Sequence, residues 1–421
     1  MVDKRLFLHD LAVVSFLRNG EAKYLPEWLD YHLAAGVEHF FLYDNAPVDE
    51  TKELLKPYFD AEQVDYFAVP GELMQIPAYN DAARRFRFTC RYLAFIDADE
   101  FLFPKTEQSV AEIVDEILSR DDRATALVIN EQVFGSDGQE TADLSRGVLD
   151  RFTRRAPRDW FIAQAEGVQP AGNIFVRTIA NPRYIRYIVN PHFAYFFDGK
   201  FAVNSAGGRV PLWGNEPVLS DKIVVNRYIK SKEEFLGKVN DEQLFAKLDR
   251  NDEFDDDIHL YRELRAEGYT PPKKFEREDY FRTLEGILLP AVRSDVPQEF
   301  FDGKLELFLT CRSLAGILKR RYPKDNRGKF MEEAALRCVH RTHFSRMNYA
   351  ETMLMINSLP PILALPYPVV EDIRQNCMSF VRQIMNDLKR TMRWDAFIEL
   401  GNYLDLLSAF GARVPQPQPQ R

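Results

Sequence analysis

Three carboxylates interrupt an apolar segment in the sequence RYLAFIDADEFLFP, residues 91–104: they are Asp97, Asp99 and Glu100. On a continuing strand, two carboxylates that are two residues apart project to the same face. Unpaired and buried there, they would destabilise the fold or take up protons. A divalent cation removes that conflict, because Mg²⁺ or Mn²⁺ is often held by one or two carboxylates together with the phosphates of a substrate.

The alternative is an acidic turn that faces water or caps a helix. The apolar flanks LAFI and FLF make a solvated turn the weaker interpretation. The segment therefore predicts half of a metal–diphosphate site, with Asp97 and Asp99 as ligands of Mn²⁺ or Mg²⁺.

Strand-like and helix-like segments alternate before this motif. Buried strands are predicted at 11–17, 39–44, 64–70 and 92–97, with helices at 24–36, 51–59 and 77–90 between them. Further strands are predicted at 126–134, 173–179 and 222–229. The alternation indicates an α/β, Rossmann-like fold with a mostly parallel sheet flanked by helices. Ligands of such sheets lie beyond the carboxyl ends of strands, where Asp44 and Asp97 fall.

The second half of the chain has a different pattern, with long, charged helices that contain leucine. We predict a catalytic domain at 1–240, a linker at 241–275 and an α-helical domain at 276–412. Residues 413–421 include PQPQPQ and are predicted to be a disordered tail.

Composition limits the possible partners and compartments. The net charge of −9 over 421 residues argues against nonspecific binding to nucleic acid. Four scattered cysteines show no zinc-binding spacing and no disulfide framework. The first apolar segment is broken by His9 and Asp10, which favours a buried strand over a signal peptide, and no apolar run predicts a transmembrane segment. These features predict a cytoplasmic protein.

The segment YLAFIDADEFLFP resembles the metal-binding motif of GT-A glycosyltransferases, especially the family 2-like and family 92-like enzymes. Residues 15–58 resemble their first nucleotide-binding unit, and QIPAYNDAARR at 75–85 resembles the stretch before the acidic motif. Later blocks are similar as well: FGSDG, RYIRYIVNPHF and NRYIKSKEEFLGK. The order and spacing of these blocks over residues 10–240 carry the resemblance.

The resemblance implies inverting transfer of a hexose from a nucleotide-sugar donor, usually a UDP-sugar, to a hydroxyl of a glycan or glycoconjugate acceptor. It places Asp44 against the uracil or ribose, Asp97 against the ribose or a metal-bound water, and Asp99 on the metal. Glu100 is expected to orient its neighbours. The other donor-binding residues that it implies are Arg18, Asn19, Glu21, Gln75 and Asn80. For Glu21 the alternative is an acid at a helix start, and for Asn80 a plain polar position of a helix.

His192 in NPHF is a candidate third metal ligand, since neutral imidazole binds divalent metals well; a structural histidine is the alternative. The sequence departs from the family at Arg227, where NRY stands in place of the usual NHY. Arg227 is then expected to pair directly with phosphate oxygens. Lys230 and Lys238 match basic positions of the family and are expected beside the diphosphate or in solvent.

Inverting transfer also needs a general base near the acceptor hydroxyl. Asp137 in FGSDG and Glu216 in WGNEP are the candidates, and Trp213 beside Glu216 could stack on a sugar. Either acid could instead be a turn residue.

Two other interpretations stay open. A phosphatase of the haloacid-dehalogenase type also carries DxD after an apolar strand, but usually after the first strand, whereas three βα units precede Asp97. A catalytically degenerate fold that serves as a scaffold is suggested by Arg227. The favoured prediction is an enzyme of polysaccharide biosynthesis that works from the cytosolic side, with peripheral membrane contact and without a nucleic-acid partner.

Overall fold

A computed structural model of the 421-residue chain describes residues 3–18, 21–163, 170–264, 276–293, 295–390, 401 and 404. The chain folds into two compact units. The first comprises Phe7–Lys274, and the second comprises Phe275–Arg421 together with Val2–Leu6. The predicted tail at 413–421 lies outside the described residues.

The first unit is built from short strands and helices in alternation. Its strands are β1 (His9–Leu17), β2 (His39–Asp44), β3 (Val64–Ala68), β4 (Cys90–Phe95), β5 (Glu100–Pro104), β6 (Ala124–Phe134), β7 (Arg154–Arg155), β8 (Phe161–Ile162), β9 (Ala171–Gly172), β10 (Val176–Ala180), β11 (Ile185–Asn190), β12 (Phe193–Phe196), β13 (Phe201–Val203), β14 (Arg209–Val210), β15 (Ile223–Tyr228) and β16 (Glu253–Phe254). Its helices are α1 (Leu25–Ala34), α2 (Asp49–Asp60), α3 (Gln75–Arg85), α4 (Val110–Leu118), α5 (Val148–Arg151), α6 (Lys232–Val239), α7 (Glu242–Leu248) and α8 (Asp257–Leu264).

The main sheet has the strand order β14-β13-β6-β10-β4-β1-β2-β3. Strands β3, β2, β1 and β4 run parallel, as expected for strands joined by single helices, while β10 is antiparallel to both β4 and β6. Apolar clusters cover both faces of this sheet. The predicted fold class, α/β with a mostly parallel sheet and a helical region after it, is confirmed.

The carboxyl ends of the parallel strands meet at one edge of the sheet. Leu17, the last residue of β1, is in register with Asp44, the last residue of β2. On the other side of β1, Val14 is in register with Phe95 at the end of β4. Asp44 at the end of β2, and Arg18 and Asp97 just after β1 and β4, therefore lie at the same edge of the sheet.

The acidic motif itself forms a buried turn, so Asp97 and Asp99 do not lie on a continuing strand. β4 ends at Phe95 and β5 begins at Glu100, and the amide of Glu100 donates to the carbonyl of Asp97 over 3.1 Å. β5 then pairs with β15 in a branch of the same sheet, so that Arg227 lies opposite Glu100. β15 also runs parallel to β6. A chain reversal at Asp97–Asp99 thus brings β15 against the acidic motif.

The second unit is helical. Its helices are α9 (Arg277–Ala291), α10 (Leu305–Arg321), α11 (Asn326–Arg341), α12 (Tyr349–Leu363) and α13 (Val369–Arg390). Part of the segment predicted as a linker, 241–275, carries α7 and α8 of the first unit. Phe245 and Leu248 on α7 and Ile258 and Tyr261 on α8 are buried in its apolar clusters. In the part of the chain that the structure describes, helices that combine the length and the apolar character required to cross a bilayer are absent.

Candidate active site

An acidic cluster lies in the turn between β4 and β5. One oxygen from each of Asp97, Asp99 and Glu100 lies within 4.8 Å of the others, and all three residues are buried. Among the described residues it is the only such group of three or more His, Cys, Asp or Glu residues. The residues that the sequence singled out for their chemistry are therefore brought together, and their oxygen atoms are the ligand type that Mg²⁺ and Mn²⁺ prefer.

Arg177 on β10 supplies positive charge to this cluster from within the sheet. Its Nη2 donates to Asp97 Oδ2 over 3.2 Å and also to Glu100 Oε1, and its Nε lies 3.2 Å from Glu131 Oε1 on β6. One guanidinium thus faces three buried carboxylates. Burial, with the neighbouring charges of Asp97 and Glu131, raises the pKa of Glu100 to about 8.

Lys238, at the end of α6, pairs with Asp99. Its Nζ lies 2.7 Å from Asp99 Oδ2 and 2.5 Å from Glu21 Oε1. Against the opposing effect of burial, the charge of Lys238, followed by those of Arg227 and Lys230, lowers the pKa of Asp99. The same carboxylates raise the pKa of Lys238 despite its burial. Asp99 is therefore ionised, and Lys238 is protonated.

A cavity of about 360 Å³ opens beside Asp99. Its charged lining includes Arg18, Glu21, Arg227, Lys230 and Lys238. Lys230 adopts φ of 68° and lies over the ring of Tyr24, with Nζ 4.3 Å from the centroid. Burial lowers the pKa of Lys230. The cavity thus places positively charged side chains next to the acidic cluster. A diphosphate bound through a metal ion requires such an arrangement.

Gln75, Arg18 and Asp97 form a chain of side chains across the edge of the sheet. Gln75 Nε2 donates to Asp97 Oδ1 over 2.7 Å, and Arg18 Nη2 donates to Gln75 Oε1 over 2.8 Å. Tyr79 Oη also donates to Asp97 Oδ1 over 3.1 Å. Asp44 ends the neighbouring strand and accepts a hydrogen bond of 2.6 Å from Tyr66 Oη. These predicted donor-binding residues share one edge of the sheet. Asn19 lies outside the described residues.

Asn80 has a different environment from the other predicted donor-binding residues. Its amide nitrogen donates to the carbonyls of Ile76 and Ile188 over 2.9 and 2.7 Å, and its amide oxygen accepts from the amide of Ile188 over 3.0 Å. These bonds fasten α3 to β11. The alternative of a structural polar residue agrees with this geometry.

His192 contacts Glu131 and is absent from the acidic cluster. Its Nδ1 lies 3.1 Å from Glu131 Oε1, and its ring stacks on Phe175 with centroids 4.9 Å apart. Arg227 Nη1 lies 3.6 Å from Glu131 Oε2. Glu131 is fully buried, and the charge of Arg177 and the contact with His192 outweigh burial and lower the pKa of Glu131 to about 2. His192 is therefore connected to the acidic cluster indirectly, through Glu131 and Arg177.

The two predicted general bases lie in turns. Both carboxylate oxygens of Asp137 are used, since Thr153 N and Oγ1 donate to Oδ2 and Arg154 N donates to Oδ1, each over 2.9 Å. Glu216 is exposed and precedes Pro217. Of the two, Asp137 therefore closes a loop, as its alternative interpretation as a turn residue anticipated.

Sequence reasoning missed Arg177 and Glu131. Each is a charged residue inside an otherwise apolar strand, in NIFVRTI and ALVINEQVF. That contrast is a usable signal, because a fully buried charge is rarely tolerated without a partner. The prediction of strands at these segments left their charged residues unexplained.

Comparison with known proteins gives one family. The family model described as glycosyltransferase family 92 matches residues 14–248, which is more than half of the chain. A glycosyltransferase family 92 protein of Ricinus communis is 28% identical over 148 residues, covering 35% of this chain and 26% of that protein. The galactan β-1,4-galactosyltransferase GALS2 of Arabidopsis thaliana is 27% identical over 100 residues, covering 21% and 19%. The matches thus span about a quarter or less of these relatives.

Solved structures give a weaker comparison. S. aureus TarS in complex with UDP matches at 13% identity, over 93% of this chain and 90% of that chain. The TM-score is 0.27, which is too low to support any argument about the site.

Proposed function

The chain belongs to glycosyltransferase family 92, and from that premise we propose that it transfers a hexose from a UDP-sugar to a hydroxyl of a glycan or glycoconjugate acceptor. The reaction is inverting and uses Mn²⁺ or Mg²⁺. The observation that carries this proposal is the acidic cluster of Asp97, Asp99 and Glu100 beside a cavity lined by Arg18, Arg227, Lys230 and Lys238. Negative ligands for a cation and positive partners for phosphates meet at one edge of the sheet.

The residues of the cluster fit a divalent cation. Asp97 and Asp99 would hold it, with Glu100 behind them, because their oxygens already lie within 4.8 Å of one another. When bound, the cation supplies electrostatic stabilisation of the departing diphosphate. Lys238 is the group that must leave Asp99 for this to happen, and the adjoining cavity gives its ammonium a place beside the phosphates.

The remaining polar residues of the edge position the donor. Asp44 ends β2, where the resemblance expects the uracil or ribose, and Tyr66 on the neighbouring β3 donates a hydrogen bond to its carboxylate. Arg227 and Lys230 face the cavity and neutralise phosphate oxygens there. Arg227 thereby takes the place of the family histidine by binding phosphate directly. Gln75 holds Arg18 and Asp97 at fixed positions through one hydrogen bond with each.

Isothermal titration with UDP, in the presence and absence of Mn²⁺, tests this function. We expect UDP to bind with Mn²⁺ or Mg²⁺ present, and a panel of UDP-sugars to release UDP by hydrolysis. UDP-galactose is the first donor to test, since two relatives are named galactan β-1,4-galactosyltransferases. Absence of UDP binding with both cations would contradict the proposal.

A second candidate function is nucleotide-sugar binding without catalysis, in a scaffold. One observation favours it: the positive charges of Arg177 and Lys238 already balance the carboxylates of the acidic cluster, so that the balance needs no metal ion. UDP binding that is unaffected by Mn²⁺, with no hydrolysis of any donor, would support the scaffold. A phosphatase of the haloacid-dehalogenase type is disfavoured, because Asp97 follows the fourth strand of the chain. A cytosolic location and peripheral membrane contact stay predictions.

A further inference from the structure

We propose that His192 is the general base of the transfer reaction, that Glu131 holds it in the active tautomer, and that Trp213 is part of the platform for the acceptor sugar. This inference rests on the proposed function and assigns the acceptor side of the same site. It replaces Asp137 and Glu216 as candidates for the base. The carboxylate of Asp137 is occupied by the amides of the loop that it closes, and Glu216 is exposed.

The contact with Glu131 sets the tautomer of His192. An ionised carboxylate only accepts hydrogen bonds, so the 3.1 Å contact between His192 Nδ1 and Glu131 Oε1 places the proton on Nδ1. Glu131 is fully buried and paired with Arg177, which keeps it ionised and fixed. The lone pair of the neutral ring is then on Nε2. Among the described residues, no side chain or backbone group forms a hydrogen bond with Nε2, and 22% of the His192 side chain is exposed.

Glu131 and Arg177 connect His192 to the donor edge of the sheet. The Nε of Arg177 faces Glu131, and its Nη2 donates to Asp97 and Glu100. The imidazole is thus separated from the acidic cluster by one carboxylate and one guanidinium. Arg227 also faces Glu131 Oε2. The charged groups that surround His192 from the neighbouring strands are therefore Glu131, Arg177 and Arg227.

An aromatic surface lies next to His192. Its ring stacks on Phe175 at an interplanar angle of 21°, and Phe175 contacts Trp213 with centroids 5.2 Å apart. Trp213 is 36% exposed although it packs against Phe175. An aromatic face that is partly open to solvent and continuous with a candidate base suits the apolar face of a sugar ring. The proposal seats the acceptor sugar on this surface, with its reacting hydroxyl directed to Nε2.

In the proposed step, the acceptor oxygen bonds to the anomeric carbon of the donor while its proton passes to His192 Nε2. The bond between the anomeric carbon and the diphosphate oxygen breaks, and its electron pair leaves with UDP. His192 afterwards releases the proton to water. Glu131 acts as a positioning residue, because it stabilises the imidazolium and fixes the ring.

The test measures UDP release from UDP-galactose and other UDP-sugars, with Mn²⁺ and either water or β-1,4-galacto-oligosaccharides as acceptor. We expect His192→Ala to lower kcat by about 10²- to 10⁴-fold while the Kd for UDP changes less than about threefold. Added imidazole should restore part of the rate, an outcome that a structural role does not give. Glu131→Gln should lower kcat without rescue, and Trp213→Ala should raise KM for the oligosaccharide more than it lowers kcat.

The exposed histidine His259 on α8 provides the matched control, and His259→Ala should match the wild type. Circular dichroism melts of all variants show whether each has folded. A His192→Ala protein that turns over donor within about threefold of the wild-type rate, or a loss of rate that imidazole does not restore at all, overturns the inference and leaves the proposed function standing. A wild-type protein that neither binds UDP nor releases it from any donor overturns the proposed function, and this inference with it.

Discussion

Lys238 Nζ lies 2.7 Å from Asp99 Oδ2, at the point where the proposed cation would contact the same carboxylate. The lysine comes from α6 and the aspartate from the turn after β4. Because the proposed cation would share this carboxylate with the ammonium, the proposal makes metal binding and the position of Lys238 depend on each other. The response of the site to metal and to nucleotide therefore depends on this pair.

Asp99→Asn should abolish the effect of Mn²⁺ on UDP binding and lower the rate of donor hydrolysis at least about 100-fold, because an amide is a poor ligand for a hard cation. Isothermal titration and UDP release measure the two effects. The control is Asp60→Asn, an exposed aspartate at the end of α2. Activity in Asp99→Asn equal to that of the control would exclude Asp99 as a metal ligand.

Lys238→Met should separate the two ligands of the site. Without the ammonium, Mn²⁺ no longer competes for Asp99, so the Kd for Mn²⁺ alone should fall. The Kd for UDP should rise, because a cation beside the diphosphate is lost. In the wild type we expect each ligand to strengthen binding of the other by about 5- to 150-fold, and this coupling should shrink in the variant. Lys56→Met, at an exposed pair on α2, is the control. An unchanged affinity for both ligands would show that Lys238 has no part in the site.

Arg177→Met should destabilise the first unit severely. The substitution leaves the carboxylates of Asp97 and Glu131 buried without their shared guanidinium, and removes the hydrogen-bond donor to Glu100. The loss of one partner of a buried ion pair costs about 3–5 kcal/mol in unfolding free energy. Urea unfolding measures the change, and Arg123→Met at an exposed ion pair is the matched control. If the unfolding free energy falls by less than about 1 kcal/mol, water or protonation of the carboxylates compensates for the missing guanidinium, and the prediction is contradicted.

Glu100→Gln should flatten the dependence of stability on pH at neutral and alkaline pH. The folded pKa of Glu100 is raised to about 8 from its ordinary 4.5, so the folded chain holds a proton that the unfolded chain releases. The resulting stability is fully present below about pH 4.5 and is lost as the pH rises through about 8. The glutamine of the variant stays neutral at every pH, so the unfolding free energy of the variant does not show this decline. Urea unfolding of both proteins at about pH 5 and about pH 9 measures it, and parallel declines would contradict the raised pKa.

Asn80→Ala should affect stability and leave donor binding unchanged. The alanine removes the hydrogen bonds that join α3 to the backbone of Ile188, at a cost of about 1–3 kcal/mol for the backbone groups left unpaired. The Kd for UDP should stay within about twofold of the wild-type value. If UDP affinity falls while the unfolding free energy is unchanged, Asn80 contacts the donor as the family resemblance implied.

The sequence by itself determined the order of strands and helices before the acidic motif, because apolar periodicity within a few residues encodes each element. It also determined the acidic cluster, whose three carboxylates lie within four consecutive residues, Asp97 to Glu100. Only the tertiary structure decided what balances their charge. Glu100 and Arg177 are 77 residues apart and Asp99 and Lys238 are 139 apart, so their pairing depends on which strands and helices become neighbours. A charged residue in an apolar strand indicates that a partner exists, but no local pattern identifies that distant partner. The sequence therefore predicted a cation where the fold also places an arginine and a lysine.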